Sequence, residues 1–248
     1  MRCETVRLIS NREIAPGIHE LTVPCNLPVK AGQFFMLKSA EGAVLLPRAI
    51  SACDCDGENL TMLVQNAGRG TAELCRLHPG GCVLLTGPLG NGFPLDIAGN
   101  TALVGGGIGI APMLLTARRL RERGYPADCY LGYRGSPFYH NELGVHARRL
   151  CVSTDDGSMG YHGLVTDIFN PAGYSAVFCC GPLPMMRAVT KLCAAADIPI
   201  PVYISMETRM ACGVGGCLVC ACAAKDGKNL RACLDGPVFR GEDLNLES

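Results

Sequence analysis

The chain has 248 residues, 48% of them hydrophobic, and its 22 basic and 22 acidic residues give a formal net charge of zero. This length fits one large domain or two modest ones, and the balanced charge excludes the basic footprint of a nucleic-acid-binding protein. MRCETVRLIS at the start lacks the apolar core of a secretory signal, and no apolar run reaches about 18 residues, the length of a membrane span. We therefore expect a cytoplasmic protein with no membrane-spanning helix and no nucleic-acid partner.

The first part of the chain consists of short apolar segments separated by Gly/Pro turns. Four segments rich in Val, Leu, Ile and Phe predict strands. They are residues 31–40, 43–53, 59–67 and 81–90. TAELCRL predicts one short helix with Thr71 as its N-cap. Residues 1–98 are therefore predicted to form a small antiparallel β-barrel or sandwich.

After residue 99 strands and helices alternate. TALVGGGIGIAPMLLTARRLRERG predicts a strand, a glycine loop and a helix, with Pro112 in the first turn and Gly124 just past the end. AVFCCGPLPMMRAVTKLCAAADI repeats this order. The alternation predicts a parallel sheet with helices on both faces for residues 99–204. PVYISMETRM predicts the last strand, and residues 205–248 form a cysteine-rich tail.

The chain has 16 cysteines, many for a reducing compartment, where clustered cysteines indicate metal or redox work and scattered ones usually act as small buried hydrophobic side chains. We expect the second behaviour of eight of them. They are Cys25, Cys53, Cys55, Cys75, Cys82, Cys129, Cys151 and Cys193.

The stretch CGVGGCLVCAC, residues 212–222, is the cysteine cluster. Cys212, Cys217 and Cys220 have C-x4-C-x2-C spacing and Cys233 follows downstream, which is the plant-type [2Fe-2S] pattern. A loop around a two-iron cluster needs backbone freedom and inward N–H groups, and its glycines supply both. A structural zinc site, which usually has two C-x2-C pairs, and inert thiols remain alternatives. Cys222 gives a poorer spacing than Cys220.

Two loops are predicted to bind a nucleotide. GGGIGIAP (105–112) follows a strand and opens a helix, which places backbone N–H groups where a pyrophosphate could lie. CCGPLPMM (179–186) is a second loop at a strand's carboxyl end, the region where open α/β sheets bind ligands. The alternative is a pair of tight turns without a ligand. The predicted residues are Gly105, Gly106, Gly107, Gly109, Cys180, Gly181 and Pro182.

Several stretches in one order carry a family resemblance over nearly the whole chain. They are AGQFFML, PRAIS, GRGTAEL, GGGIGIAPM, STDDGSMGYHGLVTD, CGPLPMM, METRMACGVGGCLVC and CLDGPVF. On these the chain resembles the ferredoxin–NADP reductase superfamily and, within it, is similar to the electron-transfer subunits of class 1B dihydroorotate dehydrogenases. The resemblance implies an N-terminal flavin-binding antiparallel β-barrel, a C-terminal parallel-sheet nucleotide-binding domain and a small [2Fe-2S] tail.

The resemblance implies FAD as a cofactor. Arg48 would pair with its pyrophosphate, because a planar guanidinium binds phosphate oxygens bidentately. Where Ala49 stands the family more often has Pro. The other residues implied to bind FAD are Ala49, Ile50, Ser51, Leu63, Val64, Gln65, Gly70 and Thr71.

The resemblance further implies NAD as co-substrate and a partner, the FMN-containing dihydroorotate dehydrogenase catalytic subunit, in a heterotetramer with two of each. Electrons would run from dihydroorotate through FMN, the cluster and FAD to NAD⁺ in pyrimidine biosynthesis, with no catalytic acid or base in this chain. The segment 153–157 receives no catalytic role, and Arg134 leaves NADP open.

Two other functions remain open. One is a related electron-input subunit of the sulfide dehydrogenase, ferredoxin:NADP oxidoreductase or hydrogenase type. The other is a regulatory nucleotide-binding protein with a zinc tail.

Overall fold

The structure is a computed structural model that describes residues 1–247. Its N-terminal strands are β1 (Arg2–Arg7), β2 (Ser10–Ala15), β3 (Ile18–Pro24), β4 (Phe34–Ser39), β5 (Arg48–Cys55), β6 (Asn59–Gln65) and β7 (Cys82–Leu89). They form one antiparallel sheet in the order β1-β7-β4-β5-β6-β3-β2, which confirms the predicted barrel domain. In β7 alternate side chains are buried, as expected for a strand with one face on the core.

Helix α1 (Arg69–Cys75) begins earlier than predicted. Its N-cap is Gly68, so the prediction of Thr71 as N-cap was wrong. The Thr71 hydroxyl instead reaches back and accepts hydrogen bonds from the N–H groups of Ala67 and Gly68, both at 3.0 Å. A threonine in the third helical position can brace the loop before a helix in this way.

The second sheet contains the strands β8 (Thr101–Gly106), β9 (Asp128–Tyr133), β10 (Arg149–Thr154), β11 (Tyr161–His162), β12 (Ala176–Cys180) and β13 (Val202–Ser205). They are parallel, in the order β11-β10-β9-β8-β12-β13. The helices between them are α2 (Ala111–Glu122), α3 (His140–His146), α4 (Val165–Ile168) and α5 (Leu183–Ala194). Pro112 lies in the first turn of α2 and Gly124 adopts a φ of 83° beyond its end, as predicted.

The tail does not form a separate layer. β14 (Ala221–Ala223) and β15 (Asn229–Arg231) make a small hairpin, and β16 (Val238–Arg240) joins the second sheet antiparallel to β13. The prediction that PVYISMETRM is the last strand was therefore wrong. Only its first half is a strand. Met206 still donates to the carbonyl of Pro237, the residue opposite it, at 2.8 Å, but Pro237 has no N–H to donate in return. The boundaries at 98/99 and 204/205 remain predictions.

The barrel and the α/β domain share a buried core. β5 has a bulge between Ala52 and Asp54, and Cys53 within it is fully buried in the cluster that contains Ile110, Met113 and other side chains of α2. A bulge changes the direction of one side chain of a strand. Here it lets the Cys53 side chain of the barrel pack against α2 of the α/β domain. Within residues 1–247, no helix has the length and apolar character needed to span a bilayer.

Candidate functional site

A cavity of about 400 Å³ lies where the barrel, the start of α2 and the segment after β13 meet. The barrel lines it with Phe34, Ala49, Ile50, Ser51, Leu63, Gln65 and Thr71. The other side is lined by Ile108, Ala111, Pro237 and the run Ser205, Met206, Glu207, Thr208, Arg209 and Met210. Six of the residues predicted to bind a flavin therefore surround one space.

Val64 is the exception among the predicted flavin residues of β6. Successive side chains of a strand point to opposite faces, so Leu63 and Gln65 face the cavity while Val64 is fully buried in the barrel core. A contact of Val64 with a flavin would therefore involve its backbone.

Arg48 is positioned beside Gly70 of α1. Its Nη1 donates to the carbonyls of Leu46 at 3.0 Å and Pro47 at 3.2 Å. Nε and Nη2, on the other edge of the guanidinium, lie against Gly70. A Cβ added to Gly70 would be only 2.5 Å from Nε. Glycine therefore makes room for the guanidinium edge that can bind a phosphate bidentately.

The two predicted nucleotide loops pack against each other. β8 and β12 are parallel neighbours, so their carboxyl ends meet at one edge of the sheet. A Cβ at Gly109 would lie 2.5 Å from the carbonyl oxygen of Cys180, and one at Gly106 would lie 2.9 Å from Pro182. The glycines thus permit an approach that a side chain would block, and Gly181 adopts a φ of 150° beside them.

Gly105 and Gly107 complete the first loop in different ways. A Cβ at Gly105 would lie 2.9 Å from Ile110, so this glycine is needed for packing under the turn. Gly107 has a φ of 55° and open space beside its Cα, which leaves its backbone accessible. These features fit a loop whose N–H groups face a pyrophosphate.

The segment Ser205–Met210 was not predicted to line the site. The Cys180 thiol donates to Glu207 Oε1 at 3.9 Å, which links this segment to the second nucleotide loop. Glu207 is open to the cavity, yet the surrounding walls remove hydration and raise the pKa of its carboxyl, an effect that the Cys180 contact opposes. Its position just beyond β13, at the carboxyl edge of the sheet, was the available signal.

Arg134 is exposed just after β9, and the Asp156 carboxylate approaches the backbone of the next residue: a Cβ built at Gly135 would lie 3.1 Å from it. The negative charge of Asp156 disfavours the 2′-phosphate that distinguishes NADP from NAD. Asp156 and Arg134, which have opposite charges, follow the neighbouring strands β10 and β9.

The four predicted metal ligands form two pairs. Sγ of Cys220 lies 3.2 Å from Sγ of Cys233, and Cys217 is a hydrogen-bonding neighbour of the Cys212 thiol. A [2Fe-2S] cluster would be held by four thiolates, and these four cysteines would supply them. Among residues 1–247 no three His, Cys, Asp or Glu side chains already converge on one point that could hold a metal ion, so the preference for a [2Fe-2S] cluster over zinc rests on the C-x4-C-x2-C spacing.

Backbone N–H groups point at the sulfurs. Val214 donates to Cys212 at 3.4 Å and Gly215 donates to Cys233 at 3.1 Å. The hydrogen bond from Val214, with others from Cys217 and Gly216, lowers the pKa of Cys212 to about 6, whereas burial raises that of Cys233 to about 12. Thiolates are the ligand form, and the N–H groups of Val214 and Gly215 are placed to stabilise them at Cys212 and Cys233.

The other cysteines agree with a packing role. Of the eight scattered residues, Cys82 and Cys151 are half-buried and the rest are buried. Burial raises the pKa of five thiols, those of Cys25, Cys53, Cys75, Cys129 and Cys193. The Cys222 thiol donates to the backbone carbonyl of Cys220 at 3.7 Å, whereas the Cys220 sulfur lies 3.2 Å from that of Cys233, which favours Cys220 as the ligand.

Known proteins resemble this chain both in its cysteine-rich tail and over nearly its whole length. Residues 207–245 match the family described as the iron-sulfur cluster binding domain of dihydroorotate dehydrogenase B. The chain is 42% identical over 241 residues to the "Dihydroorotate dehydrogenase B (NAD(+)), electron transfer subunit" of Clostridium acetobutylicum, covering 97% of this chain and 96% of that protein. It is 38% identical to the Geobacillus thermodenitrificans protein of the same name, covering 98% of each.

Among solved structures, a chain from the NADH-dependent reduced ferredoxin-NADP oxidoreductase, studied for flavin-based electron bifurcation, superimposes with a TM-score of 0.87. The identity is 28%, and the alignment covers 98% of this chain and 90% of that one. The fold and the site thus define a flavin- and nicotinamide-linked electron-transfer protein of the ferredoxin–NADP reductase type with an iron-sulfur tail. Its relatives narrow this further: the chain belongs to the family of dihydroorotate dehydrogenase B (NAD(+)) electron transfer subunits.

Proposed function

We propose that this chain carries electrons between the catalytic subunit of dihydroorotate dehydrogenase and NAD⁺ in pyrimidine biosynthesis, with FAD and a [2Fe-2S] cluster as its cofactors. One observation carries the proposal: the cavity shared by barrel and α/β domain is closed on one side by the segment that leads directly into the four-thiol loop. When bound, FAD exchanges two electrons with NAD as hydride and single electrons with the cluster.

In this proposal the barrel holds FAD. Ala49, Ile50 and Ser51 on β5 and Leu63 and Gln65 on β6 form one wall of its site. The free edge of Arg48, with the backbone at Gly70 and Thr71, holds the pyrophosphate. The Thr71 hydroxyl is already bonded to its own loop, so its contribution is to keep that loop in place.

The nucleotide loops hold NAD(H) beside that wall. The backbones of Gly105, Gly106, Gly107 and Gly109 and of the run Cys180, Gly181 and Pro182 form the floor at the sheet edge. Glu207 places a carboxyl with a raised pKa at the same opening, which can hold a proton near the bound cofactors.

The cluster is held by Cys212, Cys217, Cys220 and Cys233. Of these, Cys217 is exposed, which places one ligand at the outer surface. Leu218 beside it has a φ of 60°, an unusual conformation for a residue with a side chain. Strain of this kind is concentrated at functional sites, and here it lets the chain turn between two ligands.

The partner surface lies around Cys217. Val214, Leu218, Val219 and Leu234 are 47%, 63%, 52% and 52% exposed, and such an apolar group around a redox centre favours a protein partner. We assign this surface, named the cluster face, to the FMN-containing catalytic subunit, in a complex with two of each chain.

The first experiment is the absorption spectrum of the anaerobically purified chain with flavin, iron and sulfide analysis. We expect about one FAD and two irons per chain and orotate formation with NAD⁺ only when the catalytic subunit is added. A colourless protein with one zinc would refute the function. Electron delivery from ferredoxin rather than dihydroorotate would favour the second candidate, an electron-input subunit like its structural relative.

The cluster face is tested by Leu218→Asp, with Ile198→Asp as the control. Ile198 is 81% exposed and lies after α5, outside the cluster face. Leu218→Asp should abolish co-purification with the catalytic subunit while FAD and iron stay bound, and Ile198→Asp should change neither. Equal co-purification of both variants would remove the cluster face as the partner surface.

A further inference from the structure

The cysteine loop touches the barrel at one glycine. Gly213, the residue after the first ligand, has a φ of 72°, and a Cβ on it would lie 2.7 Å from Cγ of Met36 and 3.1 Å from Leu89. Both are buried side chains of the barrel sheet. The loop therefore rests on the barrel at a contact that only a residue without a side chain allows.

Met36 also touches the flavin wall. It lies on β4 opposite Ala49 of β5, and Ala49 lines the cavity. Met36 belongs to the same apolar cluster as Cys220 and Cys233, and Met206, Met210 and Ala49 pack against that cluster. Met36 therefore lies between a residue that lines the cavity, Ala49, and the glycine of the cysteine loop, Gly213.

We propose that Met36 and Gly213 are positioning residues that hold the cluster loop against the flavin wall and so set the separation of the two redox centres. The inference rests on the proposed function and deepens it. A thioether side chain fills irregular space, so the buried Met36 can support the loop at Gly213. Gly213 provides the close approach, because any side chain there would push the loop outward.

The test compares Gly213→Ala with Gly227→Ala. Gly227 lies in the β14–β15 turn with a φ of 83°, and a Cβ on it would have no atom within 4 Å, so its variant has the same backbone strain without the contact. Met36→Ala is compared with Met62→Ala, which removes an equally buried methionine from the barrel core. All four variants are made in the full chain and analysed for FAD and iron.

Two readouts follow in each variant. Hydrogen exchange reports whether the amides of residues 212–216 become less protected. Stopped-flow absorption reports how fast NADH reduces the cluster, with the dithionite-reduced protein as the end point. NADH becomes NAD⁺ by giving two electrons as hydride to the flavin of one chain; the cluster of that chain accepts one of them and the flavin keeps the other, so the cluster signal corresponds to one electron per chain.

We expect Gly213→Ala and Met36→Ala to slow cluster reduction by about tenfold or more and to raise exchange in the loop, with flavin reduction unchanged. Both controls should match the wild type. If Gly213→Ala does not retain iron, the test of the inference rests on Met36→Ala. Cluster reduction at the wild-type rate in Met36→Ala with full cofactor content would overturn this inference but not the proposed function. A wild-type chain without FAD or iron would overturn both.

Discussion

Nη2 of Arg118 on α2 lies 2.7 Å from Oδ1 of Asp54 on β5, and the same nitrogen donates to the carbonyl of Cys55. Both side chains are mostly buried, with 18% and 28% of their surface exposed. α2 begins at the nucleotide loop and β5 begins at the flavin wall. α2 and β5 both begin at the cavity, and the ion pair joins them further along their lengths.

Breaking this pair should loosen the junction between the domains. Arg118→Ala is expected to lower the free energy of unfolding by about 1–3 kcal/mol, because a mostly buried carboxylate loses its partner. Urea unfolding measures the loss. The double variant Asp54→Arg/Arg118→Asp should recover part of it, and Arg119→Ala, which breaks a more exposed pair with Glu122, should cost less. Equal losses for Arg118→Ala and Arg119→Ala would contradict the prediction.

The ligand assignment makes a second prediction. Cys220→Ser and Cys217→Ser should lose the cluster, because each removes one thiolate from a pair, while FAD stays bound to the barrel. Cys222→Ser should keep both cofactors. Iron analysis and visible absorption distinguish these outcomes. In complex with the catalytic subunit, Cys217→Ser should lose NAD-linked turnover and retain turnover with a dye, and unchanged NAD-linked turnover would exclude the cluster as the route.

The sequence predicted the parts of this site that depend on local patterns. The C-x4-C-x2-C spacing is a pattern typical of [2Fe-2S] ligands. The two strand–loop–helix units could be predicted because hydrophobic periodicity indicates where strands end and helices begin. β1, β2 and β3 were missed because their exposed positions carry charged and polar residues such as Arg2, Arg7 and Glu13, so apolar runs are absent there.

The segment Ser205–Met210 could not be predicted because its place depends on tertiary structure. Its first residues are held by the pairing of β13 with the returning tail, which extends to the bond from Met206 to Pro237, a contact between positions far apart in sequence. Likewise, nothing local to Gly213 indicates that Met36 lies against it. Contacts of this kind follow from how the tail folds back on the sheet, not from the pattern of either segment.

The guanidinium of Arg48 gives a prediction about FAD. Arg48→Ala should weaken FAD binding by about 1.5–3 kcal/mol, the range for a hydrogen bond to a charged group, or roughly tenfold to hundredfold in Kd. Arg48→Lys should recover only part, since an ammonium lacks the bidentate edge. Fluorescence titration of the FAD-depleted chain measures both. Arg7→Ala, which removes an exposed arginine bonded to Gly80, is the control, and an equal effect there would contradict the assignment.

Packing of the two nucleotide loops gives a prediction about NAD(H). In Gly109→Ala the new methyl would collide with the Cys180 carbonyl, and backbone cannot move aside as a flexible side chain can. We expect NADH affinity to fall at least about tenfold with FAD content unchanged. Gly144→Ala in α3, where the nearest atom is the end of Leu150 at 3.3 Å, should bind NADH normally. Loss of FAD in Gly109→Ala would show that the loop supports the flavin instead.

Glu207 gives the pH prediction. Desolvation raises the pKa of its carboxyl above the ordinary value of 4.5, so the folded state binds the proton more tightly than the unfolded state. The charged form therefore lowers stability at pH values above the raised pKa, and this cost disappears as the pH falls to 4.5 and below. Glu207→Gln should accordingly raise the thermal midpoint of the chain at pH 8 and give a smaller gain at pH 5.

The control for Glu207 is Glu58→Gln, an exposed residue in the turn between β5 and β6, which should change the midpoint little at either pH. Because glutamine does not titrate, the gain in thermal midpoint of Glu207→Gln over the wild type should grow as the pH rises through the raised pKa of Glu207. A gain in stability that is equal at both pH values would mean that packing, and not the charge of Glu207, accounts for the change.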